Sequence, residues 1–123
     1  MIKEHFNKET GYMESLWIED VVLDDIVQYI RRTKANKDYP RKLKILTDAT
    51  KANMKLRPED LKVIAEENAL SVENYDFIAD AFVADTALVA ALSTLYKDVS
   101  KIPNYYFKVF SSFEAGLNWL NDY

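Results

Sequence analysis

Two short stretches set a carboxylate beside a hydroxyl just past an apolar run. In "LKILTDATK", Asp48 and Thr50 follow the run that begins at Leu43; in "AFVADTALV", Asp85 and Thr86 follow Phe82 and Val83. A third stretch, "KVFSSFE", places Ser111 and Ser112 behind Phe110. If each run is a strand of a parallel sheet, all six residues fall at carboxyl ends of strands, where open α/β sheets bind ligands. The helix that follows such a strand also offers unpaired backbone N–H groups to an anion. The same residue types have plainer uses. Asp85 and Ser111 suit the N-cap of a following helix, and Asp48 suits a local Asx turn. Asp48, Thr50, Asp85 and Thr86 are thus the candidates for meeting a ligand or partner, with capping and turn formation as the competing explanation.

Other chemistry is poorly supplied. His5 is the one histidine, set in a short strand with no partner residue in view, whereas a general base needs groups arranged around it. A serine nucleophile needs a base close by in most arrangements, and only His5 could serve. There is no cysteine, so neither thiol chemistry nor a disulfide framework is expected. Two glycines in the whole chain leave no phosphate-cradling loop and no dinucleotide fingerprint. The acidic pairs Asp24-Asp25 and Glu66-Glu67 sit on helical stretches, where adjacent side chains diverge, so no metal site is expected. These features predict a protein that is not an enzyme and carries no cofactor.

A net charge of −4 argues against nucleic acid, whose phosphates call for clustered Lys and Arg. The one basic cluster, "PRKLK" at 40–44, reads as the solvated lead-in to a strand. The first residues lack the apolar centre of a signal peptide, and no apolar run approaches the length that spans a bilayer. The expectation is a cytoplasmic protein without stable membrane insertion.

The elements that would position these residues can be read from periodicity. In 123 residues one domain is expected, covering 1–123. "IKEHF" and "YMESLWI" are β-preferring runs around the polar "NKETG", in which Gly11 can take the positive φ of a hairpin loop. Leu23, Ile26, Val27 and Ile30 form the apolar stripe of a helix over 21–35. "LKILT", 43–47, is the third strand. Pro58 suits an early position of a second helix over 57–68, with Leu61, Ile64 and Ala65 inward. "YDFIADAFV", 75–83, is the fourth strand. A third helix follows Asp85, with Leu88, Ala91, Leu92 and Leu95 at helical spacing. "YYFKVF", 105–110, is the fifth strand, and "SSFE" opens the last helix as a capping box of Ser111 with Glu114, with Phe113, Leu117 and Leu120 inward. The order ββαβαβαβα predicts an α/β fold with a mostly parallel five-stranded sheet, four helices and an antiparallel first strand at the edge.

This order, with Asp48 ending the third strand and "VADT" ending the fourth, resembles the SpoIIAA-like group of STAS domains, sometimes grouped with Sec14-like small proteins. "YYFKVFSSFEAGLNWL" is similar to that group's closing signature of a strand, a Ser-rich cap, an acidic residue, a small residue and Trp-Leu. The resemblance implies a superhelix of β-α turns with helices mainly on one sheet face. In anti-sigma-factor antagonists of the group, the loop after the third strand carries an Asp-Ser-Ser-Gly-like motif with a phosphorylated Ser. The matching stretch here is Asp48-Ala49-Thr50-Lys51: Asp48 matches, and Thr50 offers the hydroxyl and the position for phosphorylation. The resemblance thus implies a non-enzymatic regulatory or protein-interaction module with a regulatory protein partner. The alternatives are a small hydrophobic-ligand or lipid binder in the Sec14-like sense and, last, a small enzyme.

Alternation along the strands gives the remaining clue. In the fourth strand Phe77, Ala79, Ala81 and Val83 share one face, and Ile78, Asp80 and Phe82 the other. Both faces therefore carry large apolar groups, and one left bare would expose aromatics to a ligand or partner. Trp17, Phe82, Tyr106 and Phe110 are the candidates for that surface, either as an apolar lining or as the centre of a two-fold homodimer. A second helix layer over that face is the competing arrangement.

Overall fold

The computed structural model describes residues 1–123 and has nine elements. They are β1 (Ile2–Asn7), β2 (Tyr12–Val22), α1 (Leu23–Ala35), β3 (Lys42–Lys55), α2 (Asp60–Val72), β4 (Phe77–Val83), α3 (Ala87–Ser100), β5 (Tyr105–Phe110) and α4 (Phe113–Asn121). The order is the predicted one. The strands form one sheet in sequence order, antiparallel between β1 and β2 and parallel from β2 to β5.

The β1–β2 hairpin closes as its sequence suggests. The Asn7 carboxamide oxygen accepts from the Glu9 and Thr10 N–H groups at 2.9 and 3.3 Å. Gly11, at φ +76°, donates its N–H to the Asn7 carbonyl at 2.8 Å. A residue with a Cβ is strained at that φ, so this turn needs its glycine.

Two strands run further than their apolar cores imply. β2 continues to Val22, so α1 begins at Leu23 rather than at 21. β3 continues through "DATKANMK" to Lys55, and the polar loop expected after Asp48 is instead paired strand. Leu16 pairs with Asp48 and Ile18 with Lys51, so Ala49 and Thr50 together face Trp17. This bulge breaks the period of two. It keeps Thr47, Ala49, Ala52 and Met54 directed into the same side of the molecule. α2 starts at Asp60 rather than 57, because Pro58 belongs to the turn before it; the Asp60 carboxylate accepts from the Arg57 N–H at 3.0 Å. β4 starts at Phe77 rather than 75. Tyr75 is occupied elsewhere, donating its hydroxyl to the Thr33 carbonyl at 2.5 Å beneath the Arg41 guanidinium, 4.3 Å from the ring centre. Arg41 donates to the carbonyls of Asn36, Tyr39 and Asn74 as well. The basic stretch at 40–44 thus contains a half-buried clamp between two loops.

Both sheet faces are covered, unequally. α1, α2 and α3 lie over the face that carries Met13, Trp17, Ile45, Ile78 and Phe82. α4 alone lies over the other, against Ala79 and Ala81, with Leu120 buried between helix and sheet. Gly116 faces the sheet, where a Cβ would just reach van der Waals contact with the Ala81 Cβ at 3.4 Å. Caught between two layers, β4 is buried without a break from Ile78 to Val83.

The expected surface of four aromatics does not exist. Trp17 and Phe82 lie in the core under α1–α3, 6% and 3% exposed. Register puts Tyr106 and Phe110 on the opposite face, beside Ala79 and Val83. There Tyr106 packs with Phe77 and Tyr123, and Phe110 with Trp119 of α4.

Helix α3 is rotated from the expected facing. Val89, Ser93 and Tyr96 are buried, whereas Leu88 and Leu95 are 61% and 40% exposed. Phe113 of α4, expected inward, is 43% exposed, while Leu117 and Leu120 do face the sheet. Each predicted cap also moves one residue along. Thr86, not Asp85, caps α3 by accepting from the Val89 N–H at 3.2 Å. Ser112, not Ser111, caps α4 by accepting from the Ala115 N–H at 3.2 Å. Thr86→Ala and Ser112→Ala should therefore each lower stability by about 0.5–2 kcal/mol in urea melts, and Asp85→Ala and Ser111→Ala by much less. The reverse ranking would contradict the cap assignment.

Candidate functional site

The sequence-predicted residues collect loosely at one end of the sheet. Asp48 pairs across from Val83, two residues before Asp85, and Phe110 lies on the other side of Val83. The Asp48 carboxylate accepts from both the N–H and the hydroxyl of Thr50, at 3.0 and 2.6 Å. This is an Asx-type contact that holds the β3 bulge together. Asp85 is exposed and makes no hydrogen bond or ion pair, and Thr86 is spent on its cap. His5 is exposed on the edge strand β1. The register thus aligns Asp48, Asp85 and Thr86 at the carboxyl end of the sheet without building an enclosed site from them.

The enclosed site lies deeper, between the sheet and the α1–α3 layer. A cavity of about 70 Å³ opens there, and 15 of its 20 lining residues are hydrophobic. By volume it has room for roughly two water molecules at their liquid density. Its floor is built by alternation: Ile78, Asp80 and Phe82 of β4 point up, flanked by Ile45 of β3 and by Tyr105 and Phe107 of β5. Its roof comes from the inner faces of α2 and α3, which supply Ile64, Asn68, Ser71, Leu92, Ser93 and Tyr96. Among the lining residues, only Leu56, Leu92, Tyr105 and Phe107 keep partial exposure. The cavity is thus shallowest where α3 covers the edge strand β5.

Asp80 is the one carboxylate in this wall, 7% exposed. The Thr47 hydroxyl of β3 donates to its Oδ1 at 2.8 Å, and its other oxygen takes no hydrogen bond from the protein. Burial raises the Asp80 carboxyl from an ordinary 3.8 to about 7, against the opposing pull of the Thr47 hydroxyl. Burial also raises the Tyr29 and Tyr96 hydroxyls, and the Asp80 charge adds to the effect at both. Ser71 is 1% exposed, and its Oγ is the one fully buried side-chain polar atom in the molecule without a partner. Buried polar groups are normally satisfied, so such an atom on a cavity wall calls for an explanation. Nearby, Asn68 donates its amide to the Tyr96 hydroxyl, so its own donor is engaged.

The sequence reading placed Asp80 on the correct strand face but missed it as a site residue, and it missed Asn68, Ser71 and Ser93 entirely. The available signal was an interruption. Along α2 the inward positions Leu61 and Ile64 continue as Asn68 and Ser71 at helical spacing, and on α3 Ser93 falls between Val89 and Tyr96. Polar residues in a stripe that must face the core mark either an internal hydrogen bond or a polar cavity.

With five strands and four helices in this order, the chain has a SpoIIAA-like α/β fold. Among solved structures it is similar to an uncharacterized protein of the DUF3478 family from Shewanella loihica PV-4, described as having a SpoIIAA-like fold. The TM-score is 0.59 at 15% sequence identity, over 98% of this chain and 92% of that one. No family model and no curated protein matches the sequence. No helix is long and apolar enough to cross a membrane.

The raised pKa of Asp80 ties folding to pH. Between about pH 4 and pH 7 the folded chain keeps a proton that the unfolded chain has released, so stability falls as pH rises through that window and levels off above it. Over about three pH units, at about 1.4 kcal/mol each, the loss is on the order of 4 kcal/mol. Asp80→Asn should remove this slope: it should match the wild type near pH 4 and exceed it in stability above pH 7. Urea melts across the range would show it, and parallel slopes in the two proteins would refute it.

Proposed function

We propose that this chain is a non-enzymatic binding module that takes a small, largely apolar molecule into the cavity between its sheet and its α1–α3 layer. The observation that carries this reading is an apolar cavity whose wall holds two polar groups left with free hydrogen-bonding capacity, Asp80 and Ser71. Ligand sites are typically apolar concavities with a few convergent polar groups that fix orientation. A purely structural core gains nothing from such groups: a buried, unpaired polar atom costs about 1–3 kcal/mol, and these β4 and α2 positions could have been aliphatic. The resemblance put a protein-interaction module first, and an open aromatic sheet face was expected to support it; with Trp17 and Phe82 inside the core, that support is gone. The second expectation, a small hydrophobic-ligand binder, now has the stronger physical basis.

Toluene is a suitable probe because it matches the apolar wall and makes no polar demand. Titrated into methyl-labelled protein, it should shift the methyl resonances of Ile64, Ile78 and Leu92 and leave Leu46 and Leu117, on the α4 side, unchanged. Leu92→Trp should fill the shallow side of the cavity and abolish the shifts while the folded spectrum persists. Shifts confined to the α4 side, or none up to the solubility limit of toluene, would overturn the reading.

A further inference from the structure

The wall of this cavity has a sign as well as a shape. No Lys, Arg or His reaches it from any element, and Asp80 is its one carboxylate. Around that carboxylate runs a connected set of aromatic rings. Trp17 meets Phe82 edge-on at 5.3 Å between ring centres, Phe82 meets Phe107 at 5.4 Å, and Phe107 meets Tyr96 edge-on at 5.2 Å. Ring faces carry negative electrostatic potential and favour a cation, most strongly where water is excluded. An anion would meet the carboxylate and the rings together, both unfavourable. A hard metal ion favours six or more oxygen ligands with several carboxylates among them, and the wall offers one carboxylate beside scattered neutral hydroxyls and one amide. A neutral hydrocarbon would fill the space but leave the free oxygen of Asp80 and the Ser71 hydroxyl unpaired.

Resting on the cavity reading above, we infer that the ligand is a small amphipathic amine, its apolar body packed against the aromatic wall and its ammonium donating to the Asp80 carboxylate. The pairing resolves the main cost of the site. A carboxylate buried with a single hydroxyl partner is poorly compensated, and a buried charge is normally paired. An ammonium carries three donors, enough for the free Asp80 oxygen and for the oxygen of Ser71. Inside a low-dielectric cavity that contact is stronger than it would be in water, and the rings replace part of the hydration the cation gives up. At about 70 Å³ the cavity encloses the ammonium end of a molecule such as benzylamine, and the ring extends to the shallow side, where Leu92, Tyr105 and Phe107 keep partial exposure.

Three probes of nearly equal shape separate the possibilities: benzylamine, benzyl alcohol and toluene, each titrated into the wild type and into Asp80→Asn at about pH 8, where Asp80 is ionised. The variant is isosteric and loses a buried charge, so it should remain folded. Benzylamine should bind the wild type at least about tenfold more tightly than benzyl alcohol, as befits a charge-assisted contact. That preference should vanish in Asp80→Asn, while toluene binds both proteins alike. Equal affinity of amine and alcohol for the wild type, or a preference that survives in Asp80→Asn, would overturn the amine assignment and leave the cavity reading standing. Failure of all three probes to bind would overturn both.

Discussion

From β2 to β5 the chain moves one strand across the sheet at each step, always in the same direction. With the right-handed crossover that parallel strands almost always adopt, α1, α2 and α3 must then lie on one face. α4 follows the last strand, makes no crossover, and is free to fold back over the other face. The rest of the arrangement follows. One face gains three helices and a deep layer between helix and sheet, in which a cavity can form. The other gains a single nine-residue helix, seated through Gly116 on Ala79 and Ala81 and finished by the aromatic packing of Tyr106, Phe110, Trp119 and Tyr123.

Within the three-helix layer, the chain gives up stability that an aliphatic core would have kept. Asp80 and Ser71 sit where burial is nearly complete, and their partners inside the protein do not exhaust their hydrogen-bonding capacity. Polar groups held this way are expensive in a low-dielectric interior. They sit on two separate elements, β4 and α2, yet converge on one space. Convergence from separate elements distinguishes a built site from an isolated packing flaw. The same placement explains the facing of α3: its inner side presents Ser93 and Tyr96 to the cavity and leaves Leu88 and Leu95 outside.

The element order, the edge hairpin and the parallel sheet were legible because each rests on strong local signals: Gly11 at a turn, the stripe from Leu23 to Ile30, and alternating β and α periods. Strand ends were not legible. "DATKANMK" reads as a loop by composition, and the bulge at Ala49 and Thr50 hides its alternation, yet pairing with the extended β2 makes it a strand. Caps slipped by one residue because Asp85 and Thr86, or Ser111 and Ser112, are equally good caps by residue type, and only the point where the strand lets go of the sheet chooses between them. The candidate site was least legible. On α3 the inward face is Val89, Ser93 and Tyr96, which lends polar groups to the cavity wall, so the usual rule of burying the most apolar stripe selected the wrong side of the helix. Trp17 and Phe82 line the cavity, whereas Tyr106 and Phe110 lie on the other face; adjacent positions on a strand look equivalent until register fixes their faces.

All of this turns on the state of one carboxyl group. Carbon-13 NMR of the Asp80 side chain, followed through a pH titration of the native protein, reads it directly. The account predicts a titration midpoint near 7, set by burial in the apolar cavity. A midpoint at the ordinary carboxyl value of 3.8 would place Asp80 in contact with solvent and contradict the buried site.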